Sequence, residues 1–396
     1  MIAPYLTIDQ LQCGGKRVLV RADLNVPLAD RSVTDDFRIA AALPLIKLLR
    51  EAGAVVVVCS HLGRPKGPDP AYRMDPVGIR LAELGGFPVK KLDVVTGSEA
   101  EAAVGAARPG DVILLENTRF EAGETVNDPG LSDALARLAD LFVEDAFGSV
   151  HRAHSSTVGV AEKLRSAAGP LLVAEVESLG RFLADPDRPY VVALGGAKVS
   201  DKLGVIRNLL PKVDAMLVGG GMCFTFLAAD GFEIGKSLVE QSMVSEVREL
   251  MTGENGDRIQ LPSDVVVGNR FAADASTRTV RVESIPKGWI GLDIGPETVG
   301  HFSAVIGGAG SVFWNGPMGV FEWEPFRAGT EATAAAMAAS SGFTAVGGGD
   351  SVSAMRLLGL ENRVSHLSTG GGAGLELLEG RVLPGVAVLA RWVDGG

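Results

Sequence analysis

Two kinds of apolar pattern take turns along this chain. Short unbroken runs, of which Ala54 to Ser60 is the clearest, suit strands buried on both faces of a parallel sheet, and longer stretches with apolar residues at helical spacing follow them. In the first half the pattern predicts strands at Lys16 to Arg21, Ala54 to Ser60, Asp111 to Leu115 and Leu141 to Val143. One helix runs through Leu43, Ile46 and Leu49, from a cap at Asp35 or Asp36 to a stop at Gly53. Others span Asp75 to Leu84, with Pro76 at the start, and Leu131 to Leu138. A long helix from Leu171 to Leu183 ends at Asp185-Pro186-Asp187-Arg188-Pro189 and reads as a connector. Beyond it the alternation resumes with strands at Tyr190 to Leu194, Ala215 to Val218, Ser311 to Trp314, Thr344 to Val346 and His366 to Ser368. Asp264 to Val267 and Arg278 to Glu283 predict a small strand pair, and Pro384 to Leu389 is a short final apolar segment.

This order predicts an α/β protein of two doubly wound, Rossmann-like domains with mostly parallel sheets, joined by a helical hinge. A chain of 396 residues also exceeds what one core usually serves. The expected domains are 1–170 and 171–380, leaving 381–396 as a final segment. The composition, 46% hydrophobic and 21% charged, is that of a globular protein, and the apolar runs are too short to cross a bilayer. No basic region and apolar stretch follow Met1, so a cytoplasmic location is expected. Cys13, Cys59 and Cys223 form no CxxC and read as core residues. The net charge of −11 argues against nucleic acid or a membrane surface as partner, since both are polyanions. An anionic small ligand must then be held by local positive charge.

Such charge gathers where doubly wound sheets bind ligands, at the carboxyl ends of strands. Asp23 and Asn25 follow the first predicted strand, His61 and Arg64 the second, Asn117 and Arg119 the third, and Arg152 the fourth; Arg38 lies near the start of the first helix. Any one arginine reads as a surface residue, whereas their shared position in the alternation points to a polyanionic small molecule.

The second half offers glycine instead. Clusters at Gly219 to Gly221, Asn315-Gly316-Pro317, Gly347 to Gly349 and Gly370 to Gly372 follow strands, giving a backbone-rich surface that suits phosphate and nucleotide. In Leu194-Gly195-Gly196-Ala197-Lys198-Val199-Ser200-Asp201-Lys202 a strand enters a glycine turn, and a helix beginning near Lys198 sets Lys198 and Lys202 on one side of its first turn. They read either as two solvated lysines or as the walls of an anion site. Asp350 is either a helix cap or a hard oxygen ligand for magnesium, and Glu322 either a surface glutamate or an acceptor for a ribose. Gly231 to Ser237 is one residue short of a P-loop, and no glycine cluster fits GxGxxG. No HExxH or GxSxG is present, and His301 and His366 read as structural or solvated.

Six segments together resemble the phosphoglycerate kinase family, in the family's order and across essentially the whole chain. They are Arg21 to Pro27, Ser60 to Pro65, Leu115 to Phe120, Asp145 to Gly148 with His151 to His154, Gly195 to Lys202, and Gly347 to Ser351. The resemblance implies reversible transfer of the acyl phosphate of 1,3-bisphosphoglycerate to Mg-ADP, giving 3-phosphoglycerate and Mg-ATP in glycolysis. It implies that the first domain holds the glycerate ligand through Asp23, Asn25, Arg38, His61, Leu62, Gly63, Arg64, Arg119 and Arg152. It implies a second domain that holds the nucleotide through Lys202, Glu322, Gly348, Gly349, Asp350 and Ser351, with Asp350 as ligand of Mg²⁺. Arg38 and Lys198 match the catalytic residues that steady the moving phosphoryl group. A monomer that closes its domains about a hinge, with residues after about Arg381 returning to the first domain, completes the expectation. The chain departs from the family's pattern at Ala22, where a larger aliphatic residue is usual, at Glu144, where asparagine is frequent, and at Ser149, where threonine is frequent.

The inventory suits that chemistry. A carboxylate nucleophile has no proton to lose, so no general base is required, and the sequence offers no obvious one. Two other readings compete: a catalytically silent nucleotide-binding scaffold of the same fold, and a nicotinamide-dependent dehydrogenase that lacks its fingerprint. A silent scaffold is free to lose Lys198, Arg38 or Asp350, and all three are present.

Overall fold

The computed structural model describes residues 4–393; the Met1 start and the outermost ends of the expected domains lie outside them. The chain divides into two compact units, one made of residues 1–177 with 382–396, the other of 178–381.

The first unit is built on a six-stranded, wholly parallel sheet. Its strands, in spatial order, are Val89–Lys91, Val112–Leu114, Val55–Cys59, Arg17–Arg21, Leu141–Glu144 and Ser166–Ala168. Every residue of Val55–Cys59 is buried, as its unbroken run of valines requires for a strand covered on both faces. The helix Phe37–Glu51 buries Ile39, Leu43, Ile46 and Leu49 along one side. Of its two candidate caps, Asp35 supplies the bond: its Oδ1 accepts the Phe37 N–H at 2.9 Å, and Asp36 makes no such contact. After the other unit the chain returns here. The Gly385 N–H donates to the Val150 carbonyl at 2.8 Å, and the Trp392 indole N–H to the Ala161 carbonyl at 2.8 Å.

A second six-stranded parallel sheet forms the other unit, in the order Ile259–Gln260, Ala215–Val218, Tyr190–Leu194, Ser311–Asn315, Phe343–Gly347 and His366–Leu367. The expected strand pair is present as Asp264–Gly268 and Thr277–Arg281, and a third strand, Ile290–Ile294, joins it on the other side to make an antiparallel ribbon. The helix Pro170–Ala184 carries the chain from one unit to the next. Asp145 Oδ1 caps its start by accepting the Leu171 and Leu172 N–H groups at 2.8 and 3.1 Å. Near its end Phe182 stacks on Tyr190 with ring centroids 5.5 Å apart.

One expected helix start is corrected. The helix after Gly196 is Leu203–Leu209, with Lys202 at its cap position, so Lys198 precedes it in an irregular turn and the two lysines do not share a helical face. The glycine turn runs on through Val199 to Asp201 before the backbone becomes helical.

Candidate active site

Two groups of strand-end loops, one per unit, carry most of the residues that the sequence singles out, with Arg38 on the helix Phe37–Glu51 and Asp350 and Ser351 on the helix Gly349–Leu357. In the first unit they follow four adjacent central strands: Val112–Leu114, Val55–Cys59, Arg17–Arg21 and Leu141–Glu144. Adjacency in the sheet turns residues scattered over more than a hundred positions of sequence into neighbours. Asp23 is buried and pairs with Arg38, whose Nη1 lies 3.1 Å from Asp23 Oδ2 and donates to the Asn25 carbonyl at 3.3 Å. Asn25 Oδ1 accepts the Gly63 N–H at 2.8 Å, locking the loop after the first strand to that after Val55–Cys59. Asn117 does the same from the other side, accepting from the Leu62 N–H at 3.1 Å and donating to the Leu62 carbonyl at 2.8 Å. Arg119 Nη1 then reaches the Gly63 carbonyl at 2.6 Å. Gly63 has φ +62, and a Cβ there would lie 2.2 Å from the Tyr72 ring, so only glycine brings the backbone this close.

Several of these groups lie close enough to act on one another electrostatically. Burial lowers the pKa of Arg119, and the guanidiniums of Arg21, Arg64 and Arg152 lower it further. His61 is buried and held well below the usual histidine range, first by burial and then by Arg21, Arg119, Arg38 and His154. Five guanidiniums, with two neutral imidazoles and the acids Asp23 and Glu124, thus act on one another, and the surplus of positive charge favours an anion. Arg38, Arg64, Arg119 and Arg152 keep partly or fully exposed side chains. Arg21 does not stand out in the sequence by itself. It is fully buried and spreads its donors over Ser156 Oγ at 3.0 Å, the Ala22 carbonyl at 2.6 Å, Ser149 Oγ at 3.3 Å and His61 Nδ1 at 3.0 Å. An arginine ending a buried strand is the signal that was available.

In the second unit the loops after Ala215–Val218, Tyr190–Leu194 and Ser311–Asn315 are knitted by backbone alone. The Gly196 N–H donates to the Pro317 carbonyl at 2.8 Å, Gly220 to Met318 at 3.0 Å, and Met222 to Gly196 at 2.9 Å. A Cβ on Gly195 would stand 2.2 Å from the Pro317 oxygen, and one on Gly220, at φ +63, 2.6 Å from the Gly196 nitrogen. These glycines are therefore required by contact between loops. The helix Gly349–Leu357 starts from Gly348, at φ +86, and presents Asp350 exposed in its first turn. Gly348 and not Asp350 holds the cap position, so Asp350 meets the helix dipole without capping the helix. Ser351 is buried, and its Oγ accepts the Gly316 N–H at 2.7 Å, so its hydroxyl serves the loop framework.

Lys202 is buried, and burial holds its pKa below that of an ordinary lysine while Asp201 and Asp350 pull it back up. Lys198 is exposed, as is Glu322. Glu240, which the sequence reading did not pick out, fixes the turn beside Lys198: it accepts the Ser200 N–H at 3.0 Å and the Ser200 hydroxyl at 2.6 Å. No group of three or more histidine, cysteine or acidic side chains is gathered for a metal among the described residues. Magnesium bound to nucleotide needs only one or two protein carboxylates, so a single exposed Asp350 beside Lys202 fits it.

An arginine-rich cluster at the strand ends of one parallel α/β unit and a glycine-built loop surface at those of another define the class of two-unit phosphotransferases. A model of the phosphoglycerate kinase family matches residues 8–381, and the chain belongs to that family, phosphotransferases with a carboxyl group as acceptor. It is 57% identical over 398 residues to the phosphoglycerate kinase of Frankia casuarinae, covering 97% of this chain and 99% of that one. Against the enzyme of Rubrobacter xylanophilus it is 58% identical over 384 residues, with 97% of each covered. Among solved structures, phosphoglycerate kinase from Coxiella burnetii superposes with a TM-score of 0.88 at 40% identity, over 98% of this chain and 99% of that one.

Proposed function

We propose that the chain transfers the acyl phosphate of 1,3-bisphosphoglycerate to Mg-ADP, reversibly, forming 3-phosphoglycerate and Mg-ATP as a step of glycolysis. The observation that carries the reading is the convergence of Arg38, Arg64, Arg119 and Arg152 with His61 at adjacent strand ends. Such a cluster suits a small molecule bearing both phosphate and carboxylate.

In this reading the first unit holds the glycerate ligand. Asp23, Asn25, Leu62 and Gly63 shape the loops, and the arginines and His61 meet its charges. The second unit holds the nucleotide. Lys202 meets its phosphates, the backbone of Gly348, Gly349 and Ser351 approaches them, and Glu322 accepts from the ribose. Asp350 would hold Mg²⁺, which supplies charge neutralisation to the bridging phosphate oxygens when bound. Arg38 and Lys198 stabilise charge on the equatorial oxygens during in-line transfer. The acceptor carboxylate is already ionised, so no side chain need remove a proton. Closure of the two units on both ligands, with water excluded from the acyl phosphate, is a required step of the reading. The protein is read as a cytoplasmic monomer with no nucleic-acid or membrane partner; among the described residues no helix is long and apolar enough to cross a membrane.

The test is a coupled assay with 3-phosphoglycerate and Mg-ATP. Turnover in the range usual for kinases, about 1–100 per second or above, supports the reading. Nucleotide binding without turnover would instead make the protein a silent scaffold of the same fold.

A further inference from the structure

Glu144 ends the strand Leu141–Glu144 and lies opposite Arg21 in the parallel register. It is fully buried. Its Oε1 accepts the Ala146 N–H at 2.8 Å, and its Oε2 has no partner. Arg21, the nearest counter-charge across the sheet, is committed elsewhere: Nε to Ser156, Nη1 to the Ala22 carbonyl, Nη2 to Ser149 and His61. Among the described residues no ion pair joins the two. A buried carboxylate with one bare oxygen is strongly disfavoured, whereas the neutral acid leaves only an uncharged hydroxyl there.

The groups facing Glu144 are Arg21 on the adjacent strand, Asp23 beyond it, Asp145 next in the chain, and Cys59 on the strand after that of Arg21. Burial raises the Glu144 carboxyl most; Arg21 and the Ala146 N–H lower it, Asp145 and Asp23 raise it again, and it stands at about 8. Arg21 in turn touches His61, a member of the arginine-rich cluster. Negative charge arriving at that cluster therefore acts on Glu144 through an interior that screens it little.

We propose that Glu144 is protonated beneath the arginine cluster at neutral pH, and that at alkaline pH, where part of the population is ionised, binding of a phosphorylated carboxylate to the cluster draws a proton from solvent onto Glu144 Oε2. Glu144 is a positioning residue in this sense. Protonation leaves no bare carboxylate oxygen beneath the cluster, and it makes affinity fall as the pH rises. The inference rests on the cluster being the glycerate site. His61 and His154, the latter lowered to about 4, do not titrate above pH 7, and Cys59, at about 12, stays protonated. Asp145, raised to about 7 by burial, is common to both proteins compared below.

The experiment is calorimetric titration of the full chain with 3-phosphoglycerate near pH 8.5, in buffers of different ionisation enthalpy. At that pH the ligand's own phosphate is fully ionised and adds no proton. The expected result is uptake of roughly half a proton per ligand, with affinity roughly fivefold weaker at pH 9 than at pH 7. In Glu144→Gln both effects disappear; should that variant fail to fold, Glu144→Asn makes the same comparison. Binding without proton uptake, or uptake that persists in the variant, overturns the proposal. Absence of any binding overturns the assignment of the cluster itself, and the proton linkage with it.

Discussion

Lys202 carries its ammonium back over the Gly196 backbone, so close that a Cβ on Gly196 would stand 3.2 Å from Nζ. The other lysine of that segment, Lys198, stays exposed in the preceding turn. A buried amine whose pKa burial has lowered gains most from a fixed anion. We therefore expect Lys202→Ala to raise the nucleotide Kd by about tenfold to a hundredfold. Lys198→Ala should instead lower kcat by about 10²–10³-fold while nucleotide affinity is kept. Steady-state kinetics with nucleotide titration checks both, and near-normal turnover of Lys198→Ala removes it from the reaction.

Arg38 is aimed by Asp23, and the aspartate is buried while the arginine is partly exposed. Arg38→Ala should lower kcat by about 10²–10³-fold. Asp23→Asn keeps the volume and loses the charge. Its main effect should be a higher KM for the glycerate substrate, with a smaller loss in kcat, because Arg38 and the Asn25 loop lose their anchor. Equal losses in the two variants would place Asp23 in the reaction itself.

The strands were legible because continuous apolar runs such as Val55 to Cys59 have no other comfortable home than a covered parallel sheet. Elements without that signature were not. Val89–Lys91 and Ser166–Ala168 are three residues each, and Ala328–Ala339 is so rich in alanine that it carries almost no apolar stripe. Local spacing starts the helix after Gly196 too early, because it cannot show how far a glycine turn extends. Strand ends mark the region of the candidate site, and resemblance to a family names the candidate residues in it. Contacts between distant positions, such as Glu240 with Ser200 or Ser351 with Gly316, leave no trace in local pattern. Glu144 stood out only as a departure from family habit, and its burial gives that departure physical weight.

Close contact between glycine loops predicts intolerance to a single methyl group. Gly195→Ala drives a Cβ against the Pro317 oxygen, and the neighbours on that side are backbone that cannot rotate away. The loops must separate, at a cost of about 1–3 kcal/mol in stability. Nucleotide affinity should fall with it, since the same loops form the surface. Gly349→Ala, where a Cβ meets nothing within 4 Å, is the control and should leave stability nearly unchanged. Urea denaturation of the pair measures the difference.

Stability should fall as the pH rises through the neutral range. Burial raises Asp293 to about 7, above the ordinary 3.8, even though its oxygens accept the Ile294 and Gly329 N–H groups at 2.9 Å each. The unfolded chain then binds fewer protons than the folded one between pH 4 and 7. Stability from this group is present in full below pH 4 and is lost as the pH passes 7, with a slope of at most about 1.4 kcal/mol per pH unit. Asp145 and Glu144 act with the same sign, up to about 7 and about 8. Denaturation midpoints from pH 5 to 8 should decline, and less steeply in Asp293→Asn. An unchanged slope in that variant would mean that Asp293 is ionised throughout.

Asp350 offers the sharpest separation between metal and nucleotide. It is exposed in the first turn of Gly349–Leu357, where a carboxylate gains something from the helix dipole but does not cap it. Its charge also acts on Lys202, so removing it should leave the lysine more attractive to phosphate, not less. Asp350→Asn should therefore keep or tighten binding of metal-free ADP. The Mg²⁺ concentration for half-maximal activity should rise by about tenfold or more, because one hard oxygen ligand is gone. Removing Mg²⁺ with a chelator should abolish turnover in both proteins, since the transferring phosphoryl oxygens then lack their counter-charge. If the variant instead weakens metal-free ADP and leaves the Mg²⁺ requirement unchanged, Asp350 orders the loop and does not hold the ion. Titrations of ADP with and without Mg²⁺, followed by a Mg²⁺ activation curve, distinguish the two.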